Sequence, residues 1–154
     1  NTFKTTGYGS YYAMPIDWLS DLRKKNKQTK FLVKGKALWE EDEDKKPYFL
    51  QIAIPKAKES WNDLFLVTKK WIKKEEENSE AWYEYGFVNE KLLNVKEALN
   101  AYNKSIYLDK SNSDSLYRAA LLYKKNGNSN KATQIQKELL LIDEVKGLEL
   151  ENLL

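Results

Sequence analysis

Apolar and polar positions change their spacing close to Pro55. Upstream of it, apolar residues alternate with polar ones over residues 31–39 and again over residues 48–54, which is typical of half-buried strands. The charged run 40–46 between them predicts a solvated turn. We therefore expect a β-hairpin over about residues 30–54.

A short helix is predicted before this hairpin, over about residues 15–26. Pro15 suits a first helical position, and Ile16, Leu19 and Leu22 are spaced for one apolar face. Residues 1–55 are then an N-terminal α+β module, within which residues 1–14 have no assigned structure.

Downstream of Pro55 the apolar spacing becomes helical and predicts one long helix over about residues 56–76. The residues that follow the i, i+3, i+4, i+7 rule are Trp61, Leu64, Phe65, Thr68, Trp71 and Ile72. Asn78 or Ser79 then supplies an N-cap for the next helix.

From Ser79 the sequence repeats itself with a period of 34 residues. Residues 79–112 align with residues 113–146 without a gap, and the apolar positions coincide. Besides the leading serines, the identical pairs are Tyr83/Tyr117, Lys91/Lys125, Asn94/Asn128, Ala98/Ala132 and Asp109/Asp143.

A helix–turn–helix unit of this length resembles the tetratricopeptide repeat (TPR) family. The first copy matches the family motif closely, and the second matches it more weakly, with Leu116 in the place of Trp82. The resemblance implies that a set of aromatic and small residues packs the two helices of each unit together. This set is Trp82, Tyr85, Gly86, Ala98, Tyr102, Ala119, Ala120 and Ala132.

In this family the first helix of each unit lines a concave groove for peptides or helices. The resemblance therefore implies a protein-binding groove lined by Tyr83, Phe87, Glu90, Lys91, Tyr117, Arg118, Leu121, Lys124 and Lys125. The family's clamp for chaperone tails has lysine and asparagine where this chain has Tyr83 and Phe87, which argues against such a ligand. An apolar floor with a basic wall suits a helix or an extended apolar peptide with acidic flanks.

Two repeats are fewer than a stable array usually needs, so other segments must cover its ends. We expect the helix at 56–76 to cap one end and residues 147–154, with four leucines, to cap the other. The predicted fold is thus α+β: the N-terminal helix and hairpin, then a helical domain over residues 56–154. The groove holds either a foreign partner or another part of this chain.

Composition removes several classes of function. The chain has neither cysteine nor histidine, which excludes thiolate nucleophiles and the usual zinc sites, and its net charge of +3 is too small to indicate nucleic-acid binding. The acidic run 40–44 lacks the spacing of a calcium loop, so no metal or cofactor is expected. No run is long and apolar enough for a transmembrane helix, and nothing indicates membrane contact.

These features predict a non-catalytic protein-interaction module, acting as an adaptor or as a subunit of a complex. One alternative is a ligand-binding or enzymatic N-terminal module that the repeats dock, and another is self-association through the C-terminal leucines. The sequence begins with Asn1 rather than Met, so we expect a processed or excised chain. A cytoplasmic and a periplasmic location both fit, and the Lys- and Asn-rich composition favours a bacterial source.

Overall fold

The computed structural model describes residues 46–154. The expected helix at 15–26 and the first strand of the expected hairpin lie outside the described residues. Residues 48–154 form one compact unit. Its helices are α1 (Tyr48–Ala57), α2 (Trp61–Lys74), α3 (Ser79–Lys91), α4 (Val95–Leu108), α5 (Ser113–Lys125), α6 (Ser129–Ile142) and α7 (Glu144–Glu151).

The α+β prediction is wrong for the described part of the chain, which is helical and contains no strand. Residues 48–54, predicted as the second hairpin strand, belong to α1. Its inward face carries Tyr48 and Ile52, one turn apart, with Ile52 buried and the Tyr48 ring stacked on Trp71 at 5.6 Å. A short apolar run fits a strand and a buried helix equally well, so alternation misassigned it.

The helix predicted over residues 56–76 is shorter than expected, because the chain turns between Ala57 and Trp61. Glu59 has a φ of +54°, a left-handed conformation that ends α1 and directs the chain back into α2. Trp61–Lys74 then forms the helix, with Leu64, Thr68 and Trp71 on its buried face.

The helical hairpins keep one register over three successive units. The second helices α2, α4 and α6 have equal lengths and begin 34 residues apart, at Trp61, Val95 and Ser129. The left-handed residues before them, Glu59, Leu93 and Gly127, are also 34 residues apart. Helices α1 and α2 therefore continue the geometry of α3–α4 and α5–α6 one unit upstream, although their sequence does not show the motif.

Close packing inside the first repeat depends on Gly86. A Cβ atom at this position would lie 2.7 Å from the ring of Tyr102, which is fully buried. Ala98 of α4 is also fully buried. Small residues at the crossing let α3 and α4 approach each other, which fixes where α3 presents its outer face.

Buried hydroxyl groups join α3, α4 and the start of α5. The Ser79 hydroxyl donates to the Ser105 carbonyl at 3.1 Å, and the Ser105 and Ser115 hydroxyls lie 2.7 Å apart. Asn112 also donates to the Ser79 hydroxyl, at 3.1 Å. These buried polar groups find their hydrogen-bond partners within the protein. The bonds hold the first helices of the two repeats in one relative position.

Helix α7 covers the far end of the array and begins earlier than the expected cap at 147–154. It packs against both α6 and α5. Leu150 is fully buried there, and Gly147 lies so close to α6 that a Cβ atom would be 2.7 Å from Leu140.

Candidate protein-binding face

The residues predicted to line a groove lie on two helices that run in the same direction. Arg118 of α5 donates to Glu90 of α3, with Nη1 3.3 Å from Oε1, and its guanidinium lies 5.2 Å from the Phe87 ring centroid. Asp114, one turn earlier on α5, interacts electrostatically with Tyr83, earlier on α3. We call the side of α3 and α5 that carries the predicted groove residues the first-helix face.

Three cations surround Phe87 at the middle of this face. The ammonium groups of Lys56 and Lys91 lie 4.9 and 5.3 Å from its ring centroid, and Arg118 is the third. Trp61 packs edge-on against the same ring at 6.0 Å. Phe87 is only 9% exposed. The aliphatic stems of the three surrounding cations, rather than the ring itself, therefore form much of the accessible surface here.

Tyr83 is half-buried and contributes to the core as well as to the face. Its ring lies 6.0 Å from Tyr102, whose hydroxyl donates to Glu90 Oε2 at 2.7 Å. Burial, followed by the negative charge of Asp114, raises the pKa of the Tyr83 hydroxyl, which therefore stays protonated at neutral pH.

Part of the face on α5 is already covered by the chain itself. The Tyr117 hydroxyl donates to Glu149 Oε1 of α7 at 2.8 Å, and Lys124 donates to the carbonyl of Leu154. Leu121 is half-buried, whereas Lys125 is exposed. The open part of the face is therefore centred on Lys91, Arg118 and Lys125.

Sequence reasoning missed an acidic group at the other end of the same face. Glu80 and Glu84 lie one turn apart on α3, and both Glu84 and Asp114 contribute to the potential at Glu80. Burial, then Glu84, raises the pKa of Glu80 to about 7, and Asp114 adds to this effect while Lys56 opposes it. The 34-residue offset pairs Glu80 with Asp114, a signal that was available in the sequence.

Glu84 is the most deeply buried of these carboxylates, at 3% exposure. Its Oε1 accepts a hydrogen bond from Lys56 of α1, while its Oε2 has no hydrogen-bond partner among residues 46–154. Asp114 is paired with Lys146 of α7, with Nζ 2.8 Å from Oδ1.

The residues assigned to repeat packing divide into two groups. Gly86, Ala98, Tyr102, Ala119, Ala120 and Ala132 are buried. Trp82 and Tyr85 are only half-buried; Trp82 donates to the Glu76 carbonyl at 2.7 Å, and Tyr85 packs on Phe65 at 5.6 Å. These two aromatic residues join α3 to α2 and to the turn before α3.

Residues 46–154 contain neither a metal site nor a membrane-spanning helix. No group of three metal-ligating side chains is placed to hold an ion there. None of the helices in that range has the length and apolar character needed to cross a bilayer. The acidic run 40–44 lies outside the described residues.

Two models of the tetratricopeptide repeat match the sequence, one over residues 79–112 and the other over residues 101–134. The first match has the bounds predicted from the period, and the second runs from within α4 through α5 into the first residues of α6, across the predicted boundary at 112/113. Residues 79–134 therefore belong to the tetratricopeptide repeat family, as the repeat pattern predicted. This part of the chain is a protein-interaction module of the kind that helical repeats form.

Solved structures show the same fold at low sequence identity. MamA matches with a TM-score of 0.59 and 21% identity, over 69% of this chain and 63% of the MamA chain, so this chain spans less than two thirds of that protein. A chain of the CopN-Scc3 complex matches with a TM-score of 0.63 and 14% identity, over 96% of this chain and 91% of that one. A search of curated proteins gives no match to the sequence.

Proposed function

We propose that the protein is a non-catalytic adaptor or complex subunit that binds a helix or an apolar peptide of another protein on the first-helix face. The observation that carries this proposal is the convergence of Lys56, Lys91 and Arg118 on Phe87. An acidic side chain of the partner would meet these cations, while its apolar side chains would lie along the aliphatic stems of these cations and along Leu121.

Two further observations support the proposal. Lys91 and Lys125 are exposed and occupy equivalent positions of the two repeats, so they extend the basic surface across both units. A chain with a similar fold is part of the CopN-Scc3 complex.

The test compares partner capture by two charge-matched double variants. Lys91→Glu/Lys125→Glu reverses the charge of the open face, and Lys70→Glu/Lys137→Glu reverses two exposed lysines on the second helices α2 and α6. We expect affinity purification followed by mass spectrometry to lose the partner with the first variant and to retain it with the second. A partner kept by both variants, with far-UV circular dichroism unchanged, would contradict binding on this face.

Self-association is a second candidate, favoured by aliphatic side chains that are exposed at the α6–α7 end. Leu141 is 89% exposed, Val145 78%, Leu148 48% and Leu153 54%. Such a patch is typical of an interaction surface. Light scattering after size-exclusion chromatography should give the wild-type chain a mass above that of the monomer. The double variant Val145→Glu/Leu148→Glu should give the mass of the monomer. A monomeric wild-type chain at high concentration would rule this candidate out.

A further inference from the structure

The two ends of the first-helix face carry opposite charge. Because α3 and α5 run in the same direction, Glu80 and Asp114 lie together at the end where the helices begin, and Lys91 and Lys125 lie where they end. The rise of an α-helix puts Glu80 and Lys91 about 16 Å apart along α3.

The negative end has more carboxylates than the described residues neutralise. Asp114 is paired with Lys146, and Glu84 is paired with Lys56 through one oxygen only. The second oxygen of Glu84 is buried and accepts no hydrogen bond within residues 46–154. Glu80 is half-buried and forms no ion pair in that part of the chain, so the end lacks one counter-charge.

The positive end has the opposite imbalance. Glu90 is shared by Arg118 and the Tyr102 hydroxyl. The Lys91 ammonium lies over the rings of Trp61 and Phe87, and neither Lys91 nor Lys125 forms an ion pair with a carboxylate in the described residues. A ligand that carried acidic groups at both ends would therefore meet attraction at one end and repulsion at the other.

We propose that the partner binds in one direction, with a lysine or arginine against Glu80 and an aspartate or glutamate against Lys91 and Lys125. This inference rests on the proposed function and specifies its ligand. The separation along α3 sets the spacing of the two charges: about 11 residues in a helical partner, or about five in an extended one.

Acidic residues in the first turn of a helix and basic residues in the last also stabilise the helix itself. The chain provides a control for this purely structural role. Glu97 is exposed and lies in the first turn of α4, away from the first-helix face. Glu97→Gln therefore removes a comparable helix-end charge without changing the face.

The experiment begins with random 16-residue peptides displayed on phage and selected on the whole chain. Peptides that lose binding to Lys91→Glu/Lys125→Glu and keep binding to Lys70→Glu/Lys137→Glu are the ligands of the face. We expect them to share a basic residue at one end and an acidic residue at the other, at one of the two spacings given above. Failure to obtain any peptide that binds this face would contradict the proposed function itself. Peptides that bind the face but share no basic residue at one end would contradict only the proposal that the partner binds in one direction.

A selected peptide and its Lys→Gln version then test the contact with Glu80 by fluorescence anisotropy. Glu80→Gln should weaken binding of the lysine peptide about tenfold, because it removes one charged contact. It should leave the affinity for the glutamine peptide unchanged, and Glu97→Gln should change the affinity for neither peptide. Because the pKa of Glu80 is about 7, wild-type affinity for the lysine peptide should also fall about fivefold from pH 8 to pH 6, as Glu80 takes up a proton between Glu84, Asp114 and Lys56. Equal loss for both peptides, or Glu80→Gln within twofold of wild type, would overturn the proposal.

Discussion

Gly86 lies at a position where the first repeat leaves no room for a side chain. Gly86→Ala would place a methyl group 2.7 Å from a Tyr102 ring that is fully buried and hydrogen-bonded through its hydroxyl. Overpacking costs about 1–3 kcal/mol, and the higher helix propensity of alanine returns about 1 kcal/mol. We expect a net loss of about 1 kcal/mol or more, seen as a Tm lowered by roughly 4–8 °C.

A second substitution separates the clash from other effects of the alanine. In Gly86→Ala/Tyr102→Leu the side chain that meets the new methyl group is smaller, so the double variant should lose less stability than the sum of the two single variants. Additive losses would show that the ring of Tyr102 does not limit position 86.

Leu93 adopts a backbone conformation that suits glycine, and its side chain contributes little to packing. Its φ is +62° and it is 78% exposed, whereas the equivalent residue of the next repeat is Gly127, with a φ of +81°. The left-handed conformation costs a non-glycine residue about 1 kcal/mol or more. Leu93→Gly should therefore raise the free energy of unfolding by about 1 kcal/mol, measured by urea denaturation.

The matched variant at the other turn is Gly127→Ala. Nothing lies within 4 Å of a Cβ atom there, so only the backbone conformation opposes alanine. It should destabilise the protein by a similar amount. An unchanged midpoint for both variants would mean that neither turn stores strain.

Glu80 makes stability depend on pH between its two pKa values. In the folded protein its pKa is about 7, against 4.5 as an ordinary carboxyl, so the folded state keeps a proton that the unfolded state has lost. This contribution is complete below pH 4.5 and is lost as the pH rises towards 7. The shift corresponds to about 3 kcal/mol, which partial exposure reduces to about 1–2 kcal/mol.

Glu80→Gln should therefore match the wild type in stability near pH 4.5 and exceed it at pH 8, by thermal or urea unfolding. Glu97→Gln, the helix-end control, should leave the pH profile unchanged. A wild-type profile that Glu80→Gln leaves unaltered would show that Glu80 titrates normally in the folded protein.

At the scale of helices, the sequence predicted those elements that the 34-residue period repeats. Helices α3 to α6 follow from that period, because each position is supported by its equivalent in the other copy. Helix α1 was missed, since its equivalent of Gly86 is Ile52 and its equivalent of Ala98 is Leu64 in α2. Because larger side chains stand at these crossings, the sequence of α1 and α2 lacks the motif. The two helices nevertheless keep the 34-residue register of the repeats.

The candidate site was predictable only in part, for the same reason. The side chains on α3 and α5, and the pair of Arg118 with Glu90, lie within the repeats, but several other groups that pair with these side chains do not. Lys56 comes from α1, and Glu149 and Lys146 come from α7, which begins in the last residues of the second repeat and continues beyond it. Contacts made from non-repeated helices cannot be read from the spacing of the repeat.

The pairing of α1 with α3 has a consequence for stability. Lys56 neutralises Glu84, whose side chain is 5% exposed, while Lys56 itself is 38% exposed. Lys56→Met would leave the buried carboxylate without its partner, which should cost about 2 kcal/mol, less than for a fully buried pair. Chemical denaturation at pH 8 would measure the loss.

Removing both charges should be much less costly than removing one. In Lys56→Met/Glu84→Gln no unpaired charge remains, so most of the lost stability should return. A double variant no more stable than Lys56→Met would mean that the methionine disturbs packing and that the charge of Glu84 is already screened.

Over the whole of residues 48–154, contacts join helices that follow each other in the chain, and α5 with α7 is the principal exception. Stability in such an array is a sum of local terms, so a helix at the end of the array opens more readily than a helix inside it. Helix α7 is also short, and Val145, Leu148 and Glu149 on it are exposed.

Hydrogen exchange should therefore be slowest in α3, α4 and α5 and at least about tenfold faster in α7, a difference of about 1.4 kcal/mol in opening free energy. Leu150→Ala removes the side chain that α7 buries most deeply, so it should accelerate exchange in α6 and α7 while α3 stays protected. A ligand on the first-helix face should slow exchange in α3 and α5 together, because it contacts both. Equal acceleration of exchange along every helix in Leu150→Ala would instead show that the array opens as a single cooperative unit. In that case the two ends of the first-helix face could not open separately.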